Sequence, residues 1–584
     1  VEAVRRVAPG EAVHGTFQPP DHPKDGQVFR AVVEDGRGVE LSRFEWRQGQ
    51  PRWDRDLVLD TGDAAGLVRL VLSAEGSGPA ATWKGLRWRD GRPGAPIARS
   101  GAASVRPSGE TSAQPPRLVI VYVMDALRAD HVAASRGASV AEEAEGGAEE
   151  EGEQRAGAPP RLSRTTAFDL RRHPETSATF DRLATEGMVF TAHRSVAPST
   201  LPSTRALFTG RLQPEPAEAG EAVMLAEHYR DAGYRTALFS GNPYVGPAYG
   251  LDRGFDHVAE GVLYEEDAST AFNDNAARVH AAALEWLETL PAGQRAFLYL
   301  HTIHPHNPYD PPRDLARAIT RRIRGSSIDG STDTLFAVQR RRRPVHGADR
   351  ARLAALYAGA FAYNDRELAA FLDGVAERVA PEDTFLALTS DHGEELFDHG
   401  GVLHGYTLYE EQLRVPLVLW APGWLTPARV TAPTTSLDLR SALLSFLPAQ
   451  HRVKGQHHAT GDGARNLLAL PPDVAPRPLF AAAPSVRDGL VSLRLGDLKL
   501  VAAPGGPRVW GMGLGLGRSR DPEYVFDLAH DPRERHNRAG LEGIGEDWLR
   551  SRLRAWTPTR RPTAPAPPTD PETRKKLEAL GYLR

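Results

Sequence analysis

Side chains able to act on an ester gather at a few places in the sequence. The stretch VAPSTLPSTRALFTG, residues 196–210, sets Ser199, Thr200, Ser203 and Thr204 around Pro202, just before the apolar Ala206-Leu207-Phe208. A hydroxyl is a poor nucleophile at its free pKa and needs a base or a cation beside it. Any of the four is therefore a candidate only if other groups converge on it. VYVMDALRADH ends an apolar run on Asp125, which is a candidate metal ligand or, equally, a helix N-cap. TFLALTSDHGEE ends another on Asp391 and His392. A hard carboxylate beside an imidazole suits zinc, manganese or calcium, and Gly393 would let the backbone turn away sharply. HTIHPHNPYDPP adds His301, His304 and His306, and HGGVLHGYTLYEEQLRVPLVLWAPG adds His399 and His404. Alone, each is more often a hydrogen-bonded histidine than a ligand. Five of the chain's 20 histidines following strands of one region point to a site.

Elements that could position these groups are legible in the apolar pattern. LVIVYVM, RTALFSG, AFLYLHTI, TFLALTSDHG and VPLVLWAPG are runs suited to strands buried on both faces. Between them, TFDRLATEGM, AVMLAEHYRDAG, DNAARVHAAALEWLETL and the long segment 350–379 carry helical periodicity. The alternation predicts an α/β domain with a large, mostly parallel but mixed sheet flanked by helices, over residues 115–450. Residues 1–114 alternate short β-branched runs with Gly/Pro turns and read as a β-sandwich-like accessory domain, its linker starting near 91. Residues 451–584 read as a C-terminal subdomain with a small antiparallel sheet, a second Pro-rich linker and a terminal helix. The acidic, low-complexity stretch 138–164 reads as a disordered insertion, because it holds too little apolar surface to fold. No internal repeat is found.

Bulk properties exclude several classes. Basic and acidic residues number 71 and 75, so no strongly basic surface and no nucleic-acid partner are expected. There is no cysteine, which removes disulfides, thiolate metal sites and a cysteine nucleophile. No segment approaches the roughly 18 apolar residues of a membrane span. The chain begins at Val1, which is compatible with removal of an export signal or lipid anchor.

The ordered set LVIVYVMDALRADHV, TFDRLATEGMVFTAHRSVAPSTLPSTRALFTG, LAEHYRDAGYRTALFSGNPYVGPAYGLDRGFD, HTIHPHNPYDPP, YNDRELAAFLD and SDHGEELFDHGGVLHGYTLYEEQLRVPLVLWAPG resembles the sulfatases of the alkaline phosphatase superfamily. EYVFDLAHDPRERHNRA and KKLEALGYLR resemble the family's C-terminal part, so the likeness runs over roughly 115–584 outside the acidic insertion. The resemblance implies an alkaline-phosphatase-like fold and a divalent metal, zinc, manganese or calcium. It also implies work in the periplasm, at the cell surface or outside the cell. The family's usual nucleophile, a Cys or Ser two residues before the proline and oxidised to formylglycine, is replaced by Thr200. Oxidising threonine would give a ketone, so formylglycine is not expected.

By likeness to the phosphoryl-transferring branch, Thr200 is the nucleophile. Asp125, Thr200, Asp391 and His392 are the metal ligands, and His306 and His404 act on the transferred or leaving group. Arg205, Asn242 and His304 are weaker substrate-binding candidates. The expected activity is hydrolysis of an anionic ester, small or linked to glycan or lipid. It is a sulfuric ester by family label and a phosphate mono- or diester by the chemistry of threonine. The alternatives are a phosphoethanolamine-type transferase and a degenerate sulfatase-like protein that binds glycan or cell-surface material.

Overall fold

The computed structural model describes residues 2–7, 11–18, 27–35, 40–47, 55–60, 66–75, 82–90, 115–135, 177–212, 222–260, 274–451, 464–470, 477–483, 489–503, 523–539, 544–556 and 570–580. The acidic stretch 138–164 and most of both Pro-rich linkers lie outside the described residues.

The central sheet has eight strands: β1 (Leu118–Met124), β2 (Met188–Phe190), β3 (Arg235–Ser240), β4 (His257–Glu260), β5 (Ala296–Thr302), β6 (Thr384–Thr389), β7 (Leu417–Trp420) and β8 (Ala428–Val430). Their order is β4-β3-β5-β1-β6-β7-β2-β8. The five from β4 to β6 are mutually parallel, and β8 is parallel to β2. VPLVLWAPG supplies β7, which runs antiparallel to both neighbours and makes the sheet mixed. Every residue of β1 is buried. Val119, Val121 and Val123 enter one core while Leu118, Ile120, Tyr122 and Met124 enter the other, as the two-residue period of a strand requires.

Helices close both faces. On the first lie α2 (Thr200–Thr209), α3 (Leu225–Asp231) and α8 (Ser436–Ser445), through Leu207, Tyr229 and Leu443. On the second lie α1 (Ala178–Glu186), α4 (Asn275–Glu288) and α7 (Gly347–Ala376), through Phe180, Ala283 and Phe371. Two further helices, α5 (Arg313–Thr320) and α6 (Thr332–Gln339), precede α7. Each such large apolar side chain removed from water contributes about 1.5–3 kcal/mol, so burial on two faces fixes where the strand ends fall.

The N-terminal strands form two antiparallel sheets, one of four and one of three strands. They share a core in which Val13 and Leu59 of the smaller sheet meet Ala31, Val33, Val68 and Leu70 of the larger, which is a sandwich. Toward the C-terminus, Leu479–Ala483, Leu490–Leu495, Leu498–Ala502 and Glu523–Asp527 form a meander in sequential order. The helix Ile544–Trp556 covers it through Leu549 and Leu553. Replacing fully buried Ile120 by Ala is expected to cost about 2–5 kcal/mol, read as a lowered urea midpoint with unchanged slope.

Candidate active site

Register brings the reactive groups together. Val123 of β1 pairs with His301 of β5 on one side and Thr389 of β6 on the other. The residues just beyond these strand ends, Asp125 and Ser390-Asp391-His392, therefore share the carboxyl edge of the sheet, where parallel strands present ligands. Asn242 follows β3, whose Ser240 pairs with the same His301.

At this edge, Asp125, Thr200, His301, His306 and His392 are fully buried, and Asp391 nearly so. Thr200 Oγ1 lies 3.3 Å from His392 Nε2, and Asn242 Nδ2 donates to it at 3.4 Å. Asn242 Nδ2 also donates to Asp125 Oδ2 at 2.6 Å, and His301 Nε2 stands 3.1 Å from the same oxygen. His392 Nε2 is 3.4 Å from Asp125 Oδ1 and 3.5 Å from Asp391 Oδ2. Its Nδ1 donates to the Gly393 carbonyl at 2.8 Å, so Nε2 is the nitrogen that offers a lone pair to this group. Asp125 Oδ1 and Asp391 Oδ2 are buried without a hydrogen-bond partner. Two orphaned carboxylate oxygens facing one imidazole nitrogen and one hydroxyl fit a divalent cation.

Among the described residues, two groups of three could each hold an ion with ligand atoms within 4.8 Å of one another: Asp125, His301 and Asp391, and His392, Glu394 and His404. Burial alone would push Asp125 up, but His306, His301 and His392 hold it below the usual carboxylate range. Burial and the Asp125 charge push Asp391 up. Burial would lower His392, yet Asp391 and Asp125 outweigh it and raise that imidazole.

His306 and His404 form the next layer, their rings 4.7 Å apart, with His404 4.2 Å from His392. His306 Nδ1 donates to the Asn307 carbonyl at 2.6 Å, and His404 Nδ1 lies 2.7 Å from Glu394 Oε2. Tyr309 donates to the other Glu394 oxygen at 2.6 Å. Burial pushes His306 down to about 4 and His404 well below its usual value, so both are neutral near pH 7. Burial also raises Glu394 to about 7. Asn307 in turn donates to the Leu580 carbonyl at 3.0 Å, tying this loop to a segment 273 residues later.

Thr200 begins α2, so the positive end of the helix dipole and its first N–H groups face the site. Ser199 takes the N-cap position without a side-chain capping bond, and Ser203 donates back to the Ser199 and Thr200 carbonyls at 2.8 and 3.0 Å. Arg205 reaches the Tyr249 carbonyl at 3.0 Å, and the His304 ring lies edge-on to Tyr363, so neither joins the cluster. His399 is likewise elsewhere, stacked on Tyr409 and 2.7 Å from Glu411. His301 is the residue that the sequence undervalued. It stands inside β5 rather than after it, in the position that pairs with Val123, and its only signal in the sequence was its place in the histidine cluster at the end of that apolar run. Ala126 follows Asp125 with φ 61° and donates its N–H to Asp391 Oδ1 at 3.2 Å. A left-handed alanine costs about 1–3 kcal/mol, and the Tyr357 hydroxyl on the Ala126 carbonyl, at 2.6 Å, helps hold it.

Gly393 serves a different purpose from the sharp turn expected of it. Its φ is not in the left-handed region. A Cβ there would lie 2.1 Å from the Glu411 carbonyl, so glycine is required for room. Gly393 and Glu394 donate their N–H groups to the Gln412 and Glu411 carbonyls, on a short helix whose Glu410 is gripped by Arg194 and Lys499. Gly393→Ala is expected to displace His392 and lower kcat/KM by about tenfold or more, at unchanged KM for a small ester.

The neighbouring loop adds a pH dependence. Burial raises Glu395 to about 8, and His399, despite burial, is raised to about 9 by Glu411. Both folded values exceed the unfolded ones, so their stabilisation is complete below about pH 4 and is lost as pH rises through 8 and 9. Thermal midpoints are expected to fall from pH 5 to 9, and Glu395→Gln to flatten that fall.

The sulfatase family model matches residues 117–449. YidJ of Escherichia coli strain K12, described as an uncharacterized sulfatase, is 24% identical over 323 residues, 47% of this chain and 63% of the relative. The match thus spans less than two thirds of that relative's length. The phosphonate monoester hydrolase of Agrobacterium radiobacter superposes with a TM-score of 0.51 at 17% identity, covering 78% of this chain and 100% of the other. A protein solved with its substrate D-glucosamine-2-N,6-O-disulfate gives a TM-score of 0.52 at 16% identity, over 77% and 99% of the two chains. At such identities the structural likeness is one of fold. The family match, however, runs from the first strand of the central sheet past every residue of the cluster, and the chain belongs to the sulfatase family.

Proposed function

We propose that the chain hydrolyses anionic esters with Thr200 as nucleophile, and that its substrates are phosphate mono- or diesters. The observation carrying this reading is the convergence of Asp125 Oδ1, Asp391 Oδ2, His392 Nε2 and Thr200 Oγ1, with both carboxylate oxygens lacking a partner. A scaffold released from catalysis has no reason to bury two such oxygens unsatisfied. Asp125, Asp391, His392 and Thr200 are suited to hold a divalent ion, with His301 beside them. When bound, such an ion supplies positive charge that lowers the hydroxyl pKa and screens the anionic ester.

In this reading the Thr200 oxygen forms a bond to phosphorus while the bond to the leaving oxygen breaks in line. The hydroxyl proton passes to a neutral imidazole of the His306–His404 pair and from there to the leaving oxygen. A proton on Nδ1 of either ring leaves Nε2 as the acceptor nitrogen. Asn242 orients Asp125 and the Thr200 oxygen together. Water then cleaves the threonyl phosphate. We assign residues 1–114 to an accessory domain, 115–450 to the catalytic domain and 451–584 to its C-terminal subdomain. By family we place the protein in the periplasm, at the cell surface or outside the cell. Among the described residues no helix is long and apolar enough to cross a membrane.

The test is turnover of nitrophenyl phosphate, phosphodiester and sulfate by wild type and Thr200→Ala, before and after chelation. Phosphoester turnover is expected to fall by a factor of about a thousand or more in the variant and to be lost on chelation. Sulfate-only turnover, or turnover indifferent to Thr200, would overturn the assignment.

A further inference from the structure

Residues 313–352 carry eleven arginines against four aspartates, in a chain whose net charge is −4. They comprise α5, α6, their connections and the start of α7. Arg321, Arg322, Arg324 and the run Arg340-Arg341-Arg342-Arg343 are all exposed. Among the described residues, Arg321, Arg322, Arg324, Arg341 and Arg342 pair with no carboxylate. Arg340 lies over the Phe336 ring at 5.3 Å, and Arg343 acts on Asp329 and Asp349. Concentrated guanidinium groups repel one another unless an anion or solvent screens them.

This cluster is fastened to the site. Gln339, immediately before the run, accepts the Val402 N–H at 2.8 Å, and Val402-Leu403 lead into His404. Leu335 and Val338 of α6 share a core with Leu403 and with Tyr309, which holds Glu394. Arg340 acts on Tyr406, two residues beyond His404. The row thus stands at a fixed place beside the loop that carries His404, outside the reacting cluster.

We propose that this arginine row binds an acidic polysaccharide, holding anionic groups other than the one being cleaved. The binding stands on the surface itself, and only its purpose, presenting successive esters to Thr200, rests on the hydrolase reading above. Guanidinium groups bind sulfate, phosphate and carboxylate in bidentate fashion. Single-stranded nucleic acid is held more tightly where aromatic platforms stack its bases, and a membrane where apolar side chains insert. Among the described residues the only exposed large apolar side chain is Val223, on another part of the chain, and the Phe336 ring lies beneath Arg340.

The experiment uses the whole protein, the triple variant Arg341→Gln, Arg342→Gln, Arg343→Gln, and the corresponding triple Lys variant. Fluorescent heparin, single-stranded DNA of equal charge and phosphatidylserine vesicles are titrated between about 50 and 200 mM salt, and nitrophenyl phosphate turnover is measured in parallel. Expected are heparin affinity about tenfold weaker, with a shallower salt dependence, in the Gln variant and largely kept in the Lys variant. Small-ester turnover stays within about twofold throughout. Unchanged heparin binding in the Gln variant overturns the proposal, as does DNA or vesicle binding as tight as that of heparin. A loss of small-ester turnover in step with binding overturns it too, because the row would then belong to the reacting centre. Arginine-dependent heparin binding without phosphoester turnover in any variant supports the surface and overturns the hydrolase reading.

Discussion

Asp125 and Asp391 are buried side by side at the ends of adjacent parallel strands, and their mutual repulsion must be met by positive charge or a shared proton. Two unit charges about 4 Å apart in surroundings of effective dielectric 20 repel by about 4 kcal/mol. The protein answers with three imidazoles from two segments, His301 and His306 at and beyond the end of β5 and His392 beyond β6, and the opposite displacements of the two acids express the unequal help each receives. A cation at the same point would relieve the strain at once. The fold therefore holds a ready attraction for positive charge next to a hydroxyl, and the helix dipole of α2 extends it toward an incoming anion.

The rest of the molecule keeps that arrangement from relaxing. Apolar packing on both sheet faces fixes the strand ends, and fastenings then fix the loops beyond them. Arg128 shows the pattern: it donates to Asp130, to Asp398 and to the Glu394 carbonyl, so the loop after β1 and the loop after β6 move as one. Lys499 of the C-terminal meander joins Glu410 to Glu534, which carries the same constraint into the last sheet. Arg128, Lys499 and Glu534 are buried, and Arg128 and Lys499 each serve more than one partner, the circumstance in which removing one partner is costly.

Much of this was legible in the letters. Continuous apolar runs announced β1, β3, β5 and β6, and Asp125, Asp391 and His392 stood where such runs end. Direction was not legible, because β7 is as apolar as the parallel strands of the sheet and differs only in how the chain returns to it. Gly393 was noticed for the wrong reason, since sequence shows an absent side chain but not the carbonyl occupying its space. His301 was hidden because strand register, a property of two distant segments, decides that it faces Asp125. The arginine row escaped for a third cause: a balanced total conceals a local excess when the opposing charges lie far away in the chain.

The bond from Asn307 to the Leu580 carbonyl bears on how the protein is made. Synthesis adds about 5–20 residues per second, so a gap of 273 residues leaves roughly 14–55 s between the appearance of the two partners. In the later part of that interval, once β6 and Asp391 have been made, the sheet edge, the carboxylates and the hydroxyl can be in place while the loop bearing His306 lacks its far anchor. Fastening of this wall of the site therefore waits for the last helix of the chain to be made.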